Sequence, residues 1–266
     1  MSACRLRLGS ERPGLAGGID RDGSRVAELL AAGFGSVEFG TVTPEAEPGR
    51  QPGVAVLARR LAGLGSRRPD SPNRTLIGIG LGLGQGASPA ALAAHWLAGL
   101  QAAWPVADYL SFNLSAAAYR PLLVPEHAVL LADALATVAR ERQRLAADGR
   151  RRVALALKLP LEAQSLSPTA QMALAAGFDA VIAVLPQRPE RLDWLHAWAQ
   201  RINDAAQLVA VGGIRTSADV RAALDAGASG IQVHSAFVEQ GSACLPPLLA
   251  GWLAPHRAGA GVHGGS

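Results

Sequence analysis

Lys158 is the residue whose chemistry is most distinctive. It is the only lysine in the chain, and the other side chains of fixed positive charge are all arginine. A lysine ammonium is a compact charge that a planar guanidinium does not imitate. Lys158 also closes the apolar run "VALALK", which predicts a position at the end of a strand. This pattern favours a required ammonium over a lysine retained by chance.

Three more polar side chains follow predicted strands. Arg21 comes directly after the run "GLAGGID". Asn113 and Ser115 lie in "SFNLS", immediately before three alanines. Because the carboxyl ends of strands carry the chemistry in barrels and related folds, we expect these side chains to line a ligand site.

A phosphate site is predicted near the C-terminal end of the chain. The glycine pair Gly212-Gly213 ends one apolar run, and His234-Ser235 ends the next. Paired glycines expose backbone N–H groups, which suit a phosphate. The alternative is that the glycines only form a tight turn before a helix capped by Ser217.

Composition excludes several other classes. The formal net charge is +4, but the basic residues are scattered and aromatic residues make up only 5%, so nucleic-acid binding is not expected. Cys4 and Cys244 form neither a metal-ligand spacing nor a disulfide framework, so no metal is predicted. The N-terminus lacks a signal-peptide core, and no apolar run is long enough to cross a bilayer. These features predict a cytoplasmic protein without membrane contact.

Short apolar runs alternate with longer helical patterns along the whole chain. Predicted strands are Leu15–Ile19, Ser36–Gly40, Leu76–Gly80, Tyr109–Asn113, Val153–Leu159, Ala180–Ala183, Leu208–Val211 and Gly230–His234. Predicted helices are Gly23–Ala32, Val54–Leu64, Pro89–Ala103, Pro125–Asp148, Leu166–Ala176, Pro189–Asp204, Ser217–Ala226 and Leu245–Leu253. This alternation predicts an α/β fold, a single-domain (β/α)8 TIM barrel over residues 1–255, with a disordered tail at 256–266. A doubly wound sheet is the alternative, but no dinucleotide fingerprint follows any strand.

Several motifs resemble the dihydroorotate dehydrogenase family, in particular its class 2 branch. They are "GLAGGIDRDG", "GFGSVEFGTVTPEAEPG", "ADYLSFNLS", "VALALKL" and "VAVGGIRTSADVRAALDAGASGIQVHSAF", in order from about Arg5 to Trp252. The resemblance implies a barrel that binds FMN and allows a homodimer. The flavin-binding positions that it implies are Gly17, Gly18, Thr41, Asn113, Lys158, Gly213, His234 and Ser235.

The substrate half of the family's site is altered. The position of the class 2 catalytic base falls on Ala116, and the Pro-Asn pair that follows it becomes Ala117-Ala118. Alanine accepts no proton, so the catalytic residue is unknown. Ser115 and Arg21 are the candidates, although strand alternation predicts that Ser115 points away from the side of Ala116.

Other departures from the family reduce its substrate contacts further. Arg21 replaces a lysine, Gly80 an asparagine, and Val184-Leu185 a Thr-Asn pair, while the asparagine-rich loop after "TVTPEAEPG" is missing. The connection after the sixth strand, "LPQRPERLDW", is also short and lacks a glycine that contacts the flavin phosphate in the family. The residues before the first predicted strand do not resemble the helical extension through which class 2 enzymes meet membrane and quinone, so neither contact is expected.

Three functions remain open from the sequence. The first is an FMN-dependent oxidoreductase that acts on a small, anionic substrate other than dihydroorotate. The second is a barrel that binds another phosphorylated ligand without flavin. The third is a catalytically silent relative of the family that serves as a subunit.

Overall fold

The computed structural model of the chain describes residue 8 and residues 12–63, 74–147 and 151–253. Within them, parallel strands pair in chain order and the last strand pairs with the first, which closes a barrel. The strands are β1 Gly14–Leu15, β2 Ser36–Val42, β3 Leu76–Leu81, β4 Tyr109–Asn113, β5 Ala154–Pro160, β6 Ala180–Val184, β7 Gln207–Val211 and β8 Gly230–Val233. The helices are α1 Val26–Ala31, α2 Val54–Ala62, α3 Leu92–Ala103, α4 Ala128–Ala146, α5 Pro168–Ala175, α6 Arg191–Ile202, α7 Ser217–Asp225, α8 Ser235–Gln240 and α9 Leu245–Leu253. The predicted TIM barrel is confirmed.

The first strand is much shorter than predicted. It ends at Leu15 rather than Ile19 because the chain turns at the glycines that follow. Gly18 has a φ of +106°, which favours glycine, and its N–H donates to the Gly40 carbonyl. The last strand also ends one residue early, at Val233, so His234 directly precedes helix α8.

Helix α7 is capped by Thr216, and the prediction of Ser217 as its cap is wrong. The Thr216 hydroxyl accepts from the Asp219 backbone N–H, while the Asp219 carboxylate accepts from the Thr216 backbone N–H. This reciprocal pair is a capping box, which satisfies otherwise unpaired N–H groups at a helix start. Ser217 is therefore the first residue of the helix.

Two further differences concern the other connections. A short helix, α8, begins one residue after β8, and a 3₁₀ helix at Ala117–Leu123 begins within the alanine segment; neither was predicted. The predicted helix Pro125–Asp148 begins with a 3₁₀ turn, and α4 proper starts at Ala128. The predicted tail at 256–266 lies outside the described residues.

The barrel interior holds the polar groups of interest. On β5, Leu155 and Leu157 belong to the large hydrophobic core, whereas Ala156 belongs to a smaller separate cluster. Because side chains alternate along a strand, Lys158 shares the inward side with Ala156. Small inward residues leave space for larger polar side chains between the strands.

No single helix in the described parts of the chain is long and apolar enough to span a membrane. Two consecutive helical segments, Ala117–Leu123 and Pro125–Ala146, are together long and apolar enough to span a membrane by length and composition alone. The chain bends by 77° between them.

Candidate functional site

A cavity of about 400 Å³ lies over the carboxyl ends of the strands. Most of the predicted site residues line it: Gly17, Gly18, Arg21, Thr41, Asn113, Ser115, Ala116, Lys158 and His234. Two do not: Gly213 is the neighbour of the lining residue Gly212, and Ser235 begins helix α8. The structure thus brings together residues from both ends of the chain.

The floor of the cavity contains a buried ion pair. The Lys158 Nζ lies 3.2 Å from Glu38 Oε1. Lys158 is 7% exposed and Glu38 is 2% exposed. The two residues come from β5 and β2, which are not neighbours, so the pair spans the interior. Each charge compensates the other where water is largely excluded, which offsets the cost of burying either charge alone.

Two more polar side chains complete this interior cluster. The Gln232 Nε2 donates to Glu38 Oε2 at 3.3 Å and to the Tyr109 hydroxyl at 3.1 Å. Burial, and then the charge of Glu38, raises the pKa of Tyr109 well above its ordinary value. The Tyr109 phenol is therefore a neutral hydrogen-bonding group, and Lys158 and Glu38 are the charged pair of the cluster.

Glycines keep the backbone close to this cluster and to the cavity. A β-carbon at Gly17 would lie 2.7 Å from Glu38 Oε1, and one at Gly18 would lie 3.2 Å from His234 Nε2. A side chain at either position would therefore displace a polar group of the site. The glycines leave the first βα turn as bare backbone along the cavity wall, which suits the close approach of a flat ligand.

Asn113 is held rigidly at the end of β4. Its Nδ2 donates to Thr41 Oγ1 at 2.8 Å. Its Oδ1 accepts from both the backbone N–H of Ser115 at 2.9 Å and the Ser115 hydroxyl at 2.8 Å. Ser115 and Ala116 both line the cavity. Strand β4 ends at Asn113, so strand alternation does not reach Ser115.

The alanine segment brings one aromatic side chain to the cavity. Ala116, Ala117 and Ala118 are exposed and offer only methyl groups, but Tyr119 lines the wall. Its hydroxyl lies 2.2 Å from the position that a β-carbon on Gly82 would take. The pKa of Tyr119 is raised by burial and then by the charge of Glu47. The segment therefore presents a protonated phenol, which is a hydrogen-bond donor.

The cavity mouth is positively charged. Burial, followed by the charges of Lys158 and Arg21, lowers the pKa of His234. The imidazole is therefore neutral at pH 7 and carries one nitrogen that accepts a proton. Arg21 is exposed at the mouth. Because Glu38 balances Lys158 and Glu47 balances Arg50, Arg21 gives the cavity its net positive charge, which favours an anion.

The second polar feature lies beside the glycine pair after β7. Gly212 has a φ of +107° and Gly213 a φ of +66°. A β-carbon on Gly213 would lie 2.5 Å from Arg191 Nη1 and 3.3 Å from Gln187 Nε2. The shortened connection after β6 thus carries side-chain nitrogen donors to the predicted phosphate end.

Sequence reasoning missed several of these residues. They are Glu38, Tyr109 and Gln232 in the interior, Tyr119 on the wall, and Gln187 and Arg191 beside Gly213. One signal was available for Glu38, because a charged residue within the apolar run "SVEFGTV" is unusual in a buried strand. The others have no local pattern, because their partners are distant in the sequence.

Comparison with known proteins identifies the family. A dihydroorotate dehydrogenase (quinone) of Methylococcus capsulatus is 31% identical over 287 residues, which cover 92% of this chain and 84% of that protein. This chain belongs to the dihydroorotate dehydrogenase family. A second dihydroorotate dehydrogenase (quinone), from Akkermansia muciniphila, is 28% identical over 295 residues, covering 95% of this chain and 83% of that protein. No family model matches the chain.

Solved structures of the dihydroorotate dehydrogenase family share the fold. The crystal structure of DHODH from Eimeria tenella in complex with ferulenol has a TM-score of 0.71 and 21% sequence identity. The match covers 91% of this chain and 80% of that chain. The barrel of this chain is therefore the barrel of its family.

Proposed function

We propose that this protein is an FMN-dependent oxidoreductase of the dihydroorotate dehydrogenase family that acts on an anion other than dihydroorotate. One observation carries the proposal. Ala116 to Ala118 present only methyl groups where family members carry their base and a Pro-Asn pair, whereas the buried lysine and the glycines of the flavin half are kept. The chain has thus lost substrate chemistry and retained cofactor chemistry.

The residues of the cavity fit FMN. Gly17 and Gly18 leave bare backbone along one wall, Asn113 and Thr41 form a fixed polar pair, and Lys158 supplies a buried ammonium. When bound, FMN supplies hydride and electron transfer. An ammonium beside the flavin ring would favour the negatively charged form of that ring, which would raise the driving force for its reduction. Gly213, His234 and Ser235 are proposed for the phosphate end.

The substrate half supports an anionic substrate with few specific contacts. Arg21 offers a guanidinium at the mouth, and Tyr119 offers a phenolic hydrogen. Ser115 donates its hydroxyl hydrogen to Asn113, so its oxygen lone pairs are what it can offer to a ligand. These groups can hold an anion, and the exposed alanines leave room for a bulkier substrate.

A second candidate function is a barrel for another phosphorylated ligand, without flavin. The observation in its favour is the connection after β6, where Gln187 and Arg191 lie beside Gly213 in place of the glycine found in the family. A silent paralogue is the third candidate, favoured by the alanines alone. A cytoplasmic location and a homodimer remain predictions, as does the absence of membrane and nucleic-acid partners.

The flavin content of the purified protein tests the proposal, followed by stopped-flow reduction with dihydroorotate. We expect yellow protein that releases FMN on denaturation and a flavin absorbance that dihydroorotate bleaches slowly or not at all. Rapid bleaching would show that the orotate site survives. Colourless protein that stays unchanged after incubation with FMN would favour the second candidate.

An Ala116→Ser variant, with Ala118→Ser as matched control, separates loss of the base from loss of the whole site. We expect both variants to bleach as slowly as wild type, because Gly80, Val184 and Leu185 also lack polar side chains toward the substrate. Rapid bleaching by Ala116→Ser alone would mean that only the base is missing.

A further inference from the structure

The connection between β6 and α6 ends in a cation placed over a glycine. Residues 185–190 join the two elements, and Arg191 is the first residue of α6. A β-carbon on Gly213 would lie 2.5 Å from Arg191 Nη1, closer than real β-carbons approach other atoms. Gln187 Nε2 lies 3.3 Å from the same point. Two side-chain donors from one short segment therefore converge on the backbone of the glycine pair.

The guanidinium of Arg191 keeps most of its hydrogen-bonding capacity. In the described parts of the chain its ion pair is with Asp219 Oδ1 at 3.9 Å, beyond hydrogen-bond distance. The other oxygen, Asp219 Oδ2, accepts from the backbone N–H groups of Arg215 and Thr216 in the cap of α7. Asp219 thus serves the helix, while Arg191 is held near it with its N–H groups available.

The chemistry of this arrangement matches a phosphate monoester. A guanidinium presents paired N–H groups that fit phosphate oxygens in a bidentate way, and these charge-assisted hydrogen bonds are among the strongest in proteins. Gly212 and Gly213 both have positive φ, at +107° and +66°, a conformation that favours glycine, so neither residue carries a side chain of its own at this point. Arg191 is partly buried, with 24% of its side chain exposed, which limits screening by solvent.

We propose that Arg191, assisted by Gln187, is the phosphate-binding group of this protein and takes over the role of the glycine missing after β6. The identity of the ligand as FMN rests on the proposed function; the phosphate site does not. The short connection is then a rebuilt phosphate site rather than a lost one. Discrimination between a phosphorylated flavin and its unphosphorylated form would depend on Arg191.

The test compares FMN with riboflavin. Protein stripped of flavin is titrated with each ligand, with quenching of flavin fluorescence as the readout, for wild type, Arg191→Gln and Arg191→Lys. Arg188→Gln is the matched control, since Arg188 is an exposed arginine of the same connection. We expect Arg191→Gln to weaken the binding of FMN about tenfold or more, because a hydrogen bond to a charged group is lost, and to leave the affinity for riboflavin unchanged. Arg191→Lys should keep part of the affinity and Arg188→Gln all of it.

Other outcomes overturn the assignment in distinguishable ways. If Arg191→Gln weakens the binding of FMN and of riboflavin equally, or the binding of neither, Arg191 is not the phosphate-binding residue. The proposed function still stands in that case. If wild type binds neither flavin, the proposed function fails, and calorimetric titration with inorganic phosphate tests the site alone. Phosphate binding by wild type that Arg191→Gln abolishes would support the assignment there, and no binding by wild type would reject it.

Discussion

At the scale of single residues, the ion pair of Lys158 and Glu38 decides how the interior of the barrel is built. A lone ammonium or carboxylate would be costly at this depth, and each becomes tolerable because the other lies 3.2 Å away. Gln232 binds the second carboxylate oxygen and so fixes its orientation. The contact with Glu38 therefore both makes the burial of Lys158 tolerable and holds its ammonium at the floor of the cavity.

A double-mutant cycle tests this coupling. Because it leaves Glu38 as an uncompensated buried charge, Lys158→Met should lower the free energy of unfolding by about 3–5 kcal/mol. Adding Glu38→Gln to that variant removes the charge and should recover a large part of the loss. Urea denaturation of the four proteins measures the coupling. Strictly additive effects of the two substitutions would mean that the pair contributes nothing as a pair.

At the scale of elements, the start of helix α7 is the clearest case of a cap set by two residues. Thr216 and Asp219 exchange hydrogen bonds, and Asp219 also accepts from the Arg215 backbone N–H. Thr216 and Ser217 both carry a hydroxyl that can accept from a backbone N–H at a helix start, and only Ser217 was predicted as the cap from the sequence. The structure selects Thr216 because only that position lies three residues before the aspartate that completes the box.

Substitution of the two hydroxyl residues separates the two positions. Thr216→Ala should reduce the free energy of unfolding by about 1 kcal/mol, because one side-chain acceptor is lost from the helix start. Ser217→Ala is the matched control and should cost clearly less, since that residue lies within the helix. Thermal or urea unfolding of both variants provides the measurement. A larger loss for Ser217→Ala would assign the cap to Ser217 after all.

Elements were predictable from the sequence where local pattern sets them, and contacts were not. Each strand appears where an apolar run lies, and Lys158 and Asn113 lie at the carboxyl ends of β5 and β4 as predicted. The partner of Lys158 could not be predicted, because the closure of the barrel brings β2 opposite β5. The position of Arg191 beside Gly213 depends on where the short connection after β6 ends, and the number of residues in that connection does not predict this position.

At the scale of the whole molecule, the cavity is lined by charged and titratable side chains from elements that are far apart in the chain. Arg21 follows β1, Lys158 lies on β5 and His234 follows β8. Burial, followed by the charges of Lys158 and Arg21, lowers the pKa of His234. The site therefore holds its imidazole neutral, at a cost to the folded state when the solution becomes acidic.

The direction of this cost gives a prediction for stability against pH. An unfolded histidine binds its proton near pH 6.5, whereas His234 in the folded protein binds it only at lower pH. Between these two pKa values the unfolded state binds more protons than the folded state, so the stability present above pH 6.5 is lost as pH falls.

Substitution of His234 tests this pH dependence. Between pH 7.5 and pH 5.5, the melting temperature of His234→Asn should therefore fall less than that of wild type. His196→Asn is the control, because His196 is an exposed histidine of α6. An anion bound between Arg21 and Lys158 would offset those charges and favour the protonated ring, so an anionic substrate bound there should narrow the difference between wild type and His234→Asn. Equal pH dependence in wild type and His234→Asn would show that neither burial nor the nearby cations lower the pKa of His234.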